Sequence, residues 1–193
     1  ALKFYTSLPD AGPFVICDSS GYNFGIHAEE IGSQNRVEYL CFTADSGRVA
    51  EKGKGYGEAK IIEYALAHSK YIQSTNLFTK ITGRILVENL SMVLEGVRKD
   101  KTYFLRSGLT PKRSADTSMF SISPAKYSEV FSDIANEIDD TAGMYLERVV
   151  ARRIKRSGLV YSNYGCYPKY TGISGSTGRP YNERRWKLLI KSF

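Results

Sequence analysis

Short apolar runs closed by polar residues or glycine alternate along this chain with stretches whose apolar positions recur every three or four residues. PFVICDSSG, Pro13 to Gly21, is of the first kind and predicts a buried strand ending in a polar loop. RVEYLCFTA, Arg36 to Ala44, mixes β-branched and aromatic residues and predicts a second strand. From Glu58 to Ile72 the pattern changes: Ile61, Ile62, Ala65, Leu66 and Ile72 fall at helical spacing, so an amphipathic helix is expected right after the glycines of KGKGYGE.

LFTKI, Leu77 to Ile81, predicts a third strand, followed by a turn over 82–84 and an apolar stretch, Ile85 to Val97, that is part strand and part helix. Thr102–Gly108 and Thr117–Ser123 are two further strand candidates. Ser123 and Pro124 mark a helix start, as N-cap and first helical residue. Another helix is expected over 141–156, and the stretch from Gly158 to Tyr181 is rich in Gly, Ser and Tyr with little periodicity. Strands alternating with helices predict an α/β fold with helices on both faces of a central sheet.

Composition narrows the class. The chain has 193 residues, 42% of them apolar and 24% charged, which is ordinary globular usage and enough for one compact domain. No run approaches a membrane span, and Ala1 to Pro9 does not have the pattern of an export signal. Beginning at Ala1 and ending in NERRWKLLIKSF, the chain reads as a piece of a longer protein. Cys17, Cys41 and Cys166 are scattered, and His27 and His68 are the only histidines, which disfavours a disulfide framework or structural zinc and favours a reducing cytoplasm.

Charge is unevenly placed. The chain carries a net +7, but residues 148–193 hold eleven Lys and Arg against Glu183 alone, a surplus of +10 that leaves −3 for residues 1–147. A basic end of this kind suits nucleic acid, an anionic membrane surface or a pyrophosphate-bearing substrate. The expected organisation is a single domain, with a core over 1–147 and a basic C-terminal segment over 148–193.

Several segments carry chemistry. In KGKGYGE the glycines allow close backbone approach, the following helix offers free N–H groups, and Lys52 and Lys54 add positive charge, which together would suit a phosphate or diphosphate. KITGR follows the third strand directly and puts Lys80, Thr82, Gly83 and Arg84 into one bend, where open α/β sheets contact ligands. Asp139 and Asp140 read as helix caps or, alternatively, as a base that removes the proton from an acceptor hydroxyl. The loop Tyr167 to Asn182, with Lys169, Ser174, Gly175 and Arg179, is suited to wrapping a ligand or closing over it.

Taken in order, ICDSSG, KGKGYGEAKIIEYAL, FTKITGRILVENL, DIANEIDDTAGMYLERVVAR and YPKYTGISGSTG resemble the bacterial glycosyltransferases of O-antigen, lipooligosaccharide and capsule synthesis. The resemblance implies a single α/β domain with a mostly parallel sheet, the A-type glycosyltransferase fold. It implies a nucleotide-diphosphosugar donor held by Asp18, Lys52, Lys54, Gly55, Gly57, Glu58, Lys80, Gly83 and Arg84. Asp139 and Asp140 would be catalytic, and Lys169, Ser174, Gly175 and Arg179 would serve the acceptor or a lid. Such enzymes often hold Mg or Mn on an Asp-x-Asp motif; this chain has none, so Lys80 and Arg84 take over the neutralising role and no metal ligand is assigned. The implied acceptor is a saccharide or a lipid-linked pyrophosphate, presented at the anionic inner leaflet to a cytoplasmic, peripheral enzyme. Two other readings stay open: a nucleic-acid-binding domain using the basic tail with Tyr161, Tyr164, Tyr167, Tyr170 and Tyr181, and a structural fragment with no ligand.

Overall fold

The computed structural model describes residues 2–8, 11–27, 29, 36–106 and 115–172. In chain order the elements are α1 (Leu2–Thr6), β1 (Phe14–Asp18), β2 (Val37–Cys41), α2 (Ser46–Lys52), α3 (Lys54–His68), α4 (Lys70–Gln73), β3 (Phe78–Ile81) and β4 (Ile85–Val87). They continue with α5 (Leu90–Glu95), β5 (Tyr103–Arg106), β6 (Ala115–Ile122), α6 (Pro124–Phe131), α7 (Leu146–Ser157) and β7 (Tyr170–Gly172), and a 3-10 turn over Ile134–Glu137 precedes α7.

Local chemistry explains the boundaries. Ser123 caps α6 by accepting the Lys126 N–H, with Pro124 opening the helix. The helix expected over 58–72 is two: Ser69 leaves helical geometry at ψ 121° and its hydroxyl accepts the Ile72 N–H, which ends α3 and starts α4. Residues 141–143 form a turn, Met144 bridges back to Asp139 and Tyr145 is extended, so the expected helix over 141–156 begins at Leu146.

The fold is mixed α/β, but the mostly parallel central sheet is corrected. β1 and β2 pair in parallel, with Asp18 opposite Cys41. β3–β6–β5 is antiparallel throughout, and β4 pairs antiparallel with β7. A parallel connection needs a crossover of about a dozen residues. Residues 107–114 between β5 and β6 are too few for one, so those strands return on each other.

Two apolar clusters flank β6, whose successive side chains point to opposite faces. Phe120 and Ile122 join Phe104, Tyr127, Phe131 and Ile134, over which α3 lays Ala59 and Ile62 and α7 lays Val149, Val150 and Ile154. Met119 belongs to the other cluster, with Tyr5, Ile85, Val87, Val93, Tyr103, Tyr164 and Tyr170. The division drawn between 147 and 148 falls inside α7, and residues 148–172 are built into the core through α7, Tyr164 and β7.

Tyr5 ties the N-terminal helix to β4. Its hydroxyl donates to the Ile85 carbonyl at 3.1 Å and accepts the Val87 N–H at 2.8 Å. Tyr5→Phe leaves both buried backbone groups without that partner, and denaturant unfolding should show a loss of about 1–3 kcal/mol.

Candidate functional site

The first turn of α3 is held from a distance. Gly53 sits at φ 93°, in the region that favours glycine, and a Cβ there would collide with the Asp140 side chain. Asp140 Oδ2 accepts the Gly55 N–H at 3.0 Å, and the Asp140 N–H donates to the Lys52 carbonyl at 2.8 Å. A Cβ on Gly55 would stand 2.8 Å from Asp140 Oδ1. The glycines therefore do allow close approach to a carboxylate at a helix N-terminus, but it is the protein's own. Gly57 is buried one turn on, facing Val49 of α2.

At the next residue of α3, Glu58 meets the end of β3. The Lys80 ammonium is paired with the Glu58 carboxylate and also donates to Thr82 Oγ1 at 2.7 Å and to the Thr117 carbonyl at 2.5 Å. The bend of KITGR and the glycine-led helix thus face each other across this contact. Thr82 Oγ1 lies 3.4 Å from Glu58 Oε1, and the same lysine stands 5.8 Å from the Phe120 ring centre.

Glu147, in the first turn of α7, closes the group from the other side. Its Oε1 accepts from Thr117 Oγ1 at 3.4 Å. Although solvent reaches this residue, protein surrounds the carboxyl closely enough that desolvation pushes its pKa up, and the neighbouring charges of Glu58 and Asp116 push the same way. Its own backbone N–H and the Thr117 hydroxyl oppose that rise without cancelling it.

The other sequence-derived residues are dispersed. Asp139 Oδ1 accepts from the Thr141 hydroxyl at 2.6 Å and from the Thr141 and Ala142 N–H groups at 3.0 Å; these bonds, the Thr141 hydroxyl foremost, lower its pKa. Asp18, at the end of β1, accepts from the Ser20 N–H at 2.8 Å and from its hydroxyl. Lys52 lies 5.6 Å from the Tyr56 ring centre, and Lys54 is exposed at the start of α3. Gly83 and Arg84 are exposed on the bend beyond Lys80. Lys169 is exposed next to β7, which pairs Tyr170 with Val87, while Arg84 adjoins the far end of that strand pair, where Gly172 faces Ile85. Ser174, Gly175 and Arg179 lie outside the described residues.

Sequence reasoning also missed a groove of about 400 Å³ on the opposite side of α3, lined by Phe42, Asp45, Lys60, Glu63, Tyr64 and His68. Tyr64 is stacked between Phe42, 4.4 Å away, and His68, 4.0 Å away. The signal was the recurrence of Tyr56, Lys60, Glu63, Tyr64 and Ala67 on one helical face, and Glu58, two residues from Tyr56, points about 200° away from it. The groove and the Lys80 group are therefore separate places.

Among the described residues, no group of three or more His, Cys, Asp and Glu side chains is placed to hold a metal ion. At the end of β3 the charge of Lys80 is met by the Glu58 carboxylate. Neither a protein-family model, nor a curated protein, nor a solved structure matches the chain.

Two variants test these assignments. Asp140→Ala removes the cap from α3 and should cost about 1 kcal/mol in denaturant unfolding. Because the folded protein binds the Glu147 proton more tightly than the unfolded chain does, Glu147 takes stability away as pH rises above the ordinary carboxyl value of 4.5. Glu147→Gln should therefore melt higher than wild type at neutral pH, with the difference vanishing in acid.

Proposed function

We propose that the chain is a glycosyltransferase that moves a sugar from a nucleotide-diphosphate donor to an acceptor hydroxyl, with its reaction centre at the end of β3. The observation that carries this reading is the contact of Lys80 with Glu58, which brings the two segments suited to a diphosphate into one polar group beside Glu147.

In the reaction, the acceptor oxygen bonds to the anomeric carbon as the bond from that carbon to the diphosphate breaks and its electron pair leaves with the diphosphate. Lys80 offers an ammonium to the oxygen that gains charge, and such stabilisation is the larger demand on the site. The hydroxyl proton passes to Glu147, whose raised affinity for protons suits a base. Asp139 and Asp140, the pair first considered for that step, are engaged with backbone N–H groups, which is why the step is given to Glu147.

Lys169, exposed to solvent, serves the acceptor, and exposed Arg148, Lys155 and Arg156 on α7 suit an anionic lipid surface carrying a lipid-linked acceptor. No described helix is long and apolar enough to cross a membrane.

A thermal-shift series with uridine, guanosine, cytidine and thymidine diphosphates should give saturable stabilisation by one of them, growing as RT ln(1 + [L]/Kd). Lys80→Ala should abolish it. Glu147→Gln should keep the shift while hydrolysis or transfer of the matching sugar nucleotide falls about a hundredfold. Absence of any shift in the wild-type chain would overturn the transferase reading, and full turnover in Glu147→Gln would move the base elsewhere.

A further inference from the structure

Lys80 has no donor to spare. An ammonium carries three N–H groups, and three oxygens take them: the Glu58 carboxylate, Thr82 Oγ1 and the Thr117 carbonyl. The lysine side chain is 11% exposed and that of Glu58 30%, so the cation is enclosed while the carboxylate is open to solvent on one side. The Thr117 carbonyl belongs to the β6 backbone, and Thr82 follows β3 directly, so neither acceptor can withdraw far. Glu58 is the ionised partner, and it is carried on a long side chain that can rotate away.

Charge around the lysine adds a second constraint. Glu58 also acts on Glu147, which Thr117 joins to the same group, so one ammonium stands with two carboxyl groups. A phosphate added beside Glu58 would meet net repulsion. A phosphate that takes the place of Glu58 leaves the enclosed ammonium paired before and after the exchange, and leaving it unpaired is the costly alternative.

Resting on the reading of this strand end as the diphosphate site, we infer that Glu58 is a positioning residue that holds the place of the donor's phosphate on Lys80, so that donor binding is an exchange of one anion for another. No covalent change is involved. The incoming group must offer oxygen acceptors to Lys80 and to the Thr82 hydroxyl, which already lies 3.4 Å from the carboxylate oxygen it would lose. Phosphate oxygens meet both demands. Asp140 at the α3 N-terminus differs: it is wedged against Gly53 and Gly55 and donates its own N–H to Lys52, so it has no comparable route out.

The test is titration calorimetry of the full chain with inorganic pyrophosphate at constant ionic strength, for wild type, Glu58→Gln, Lys80→Ala and the double variant. Removing the competing carboxylate should tighten pyrophosphate about tenfold in Glu58→Gln. That gain should be absent when Lys80 is also replaced. A purely structural role for Glu58 predicts weaker or unchanged binding, never a gain that depends on Lys80. If wild type binds pyrophosphate and Glu58→Gln binds no tighter, the placeholder role is overturned and the diphosphate site stands. If neither binds it, both are overturned. Should Glu58→Gln fail to fold, Glu58→Asp, whose carboxylate falls one methylene short of Lys80, is held to the same criterion, with a thermal melt confirming that it is folded.

Discussion

A helix with glycine at its cap and two more in its first turn has little of its own to fix that turn, and α3 is fixed by what the rest of the chain brings to it. Asp140 supplies the cap from the turn before α7, and Lys80 grips Glu58 from the end of β3. Both contacts join α3 to parts of the chain distant in sequence. Because α3 also packs on β1, these two carboxylates set how the parallel pair sits against the antiparallel sheet. The glycines are then a packing requirement: the Asp140 side chain fills the space where a Cβ at Gly53 or Gly55 would stand.

The same two contacts change the electrostatic meaning of the segment. A free helix N-terminus and a free strand-end lysine would both attract phosphate, and in a bare sequence they look alike. Here each is met by an internal anion, and the two are not equivalent. The cap is locked by backbone bonds on both sides, whereas the ion pair is open to solvent on the carboxylate side. Affinity for an external anion is therefore expected at the lysine and not at the helix end. On the exchange proposed for Glu58, a competition between carboxylate and phosphate sets it rather than the number of cations nearby.

Local elements were legible where local chemistry decides them. Ser123–Pro124 marked a helix start, and the runs around Val15, Tyr39 and Thr79 marked strands, because capping and patterning act over a few residues. Strand direction was not legible, since it depends on which strands meet: the antiparallel return of β5 on β6 and the pairing of β3 with β6 are tertiary facts. Residues of the site divide in the same way. Lys80 and Glu58 could be named from strand-end and helix-start positions. Their mutual pairing, the turn of Asp139 and Asp140 toward backbone N–H groups, and the approach of Glu147 through Thr117 required the fold.

Positive charge near the end of the chain is likewise a different object once folded. Arg152 and Arg153 both pair with Glu137, whose pKa is pushed up by desolvation but pulled below its ordinary value by these two guanidiniums. Arg148 donates to the Gly143 carbonyl at 3.2 Å. Of the tyrosines that would stack on nucleic-acid bases, Tyr164 and Tyr170 are buried, Tyr164 hydrogen-bonding to the Ser121 hydroxyl, and Tyr161 packs edge-on against Phe104. Stacking on single-stranded bases needs exposed ring faces beside unpaired cations. Tyr161 and Tyr164 pack on the antiparallel sheet and Tyr170 on the cluster beside it, while Arg152 and Arg153 tie α7 to the 3-10 turn before it. Among the described residues, exposed cations remain at Arg148, Lys155 and Arg156 on α7, away from these buried rings.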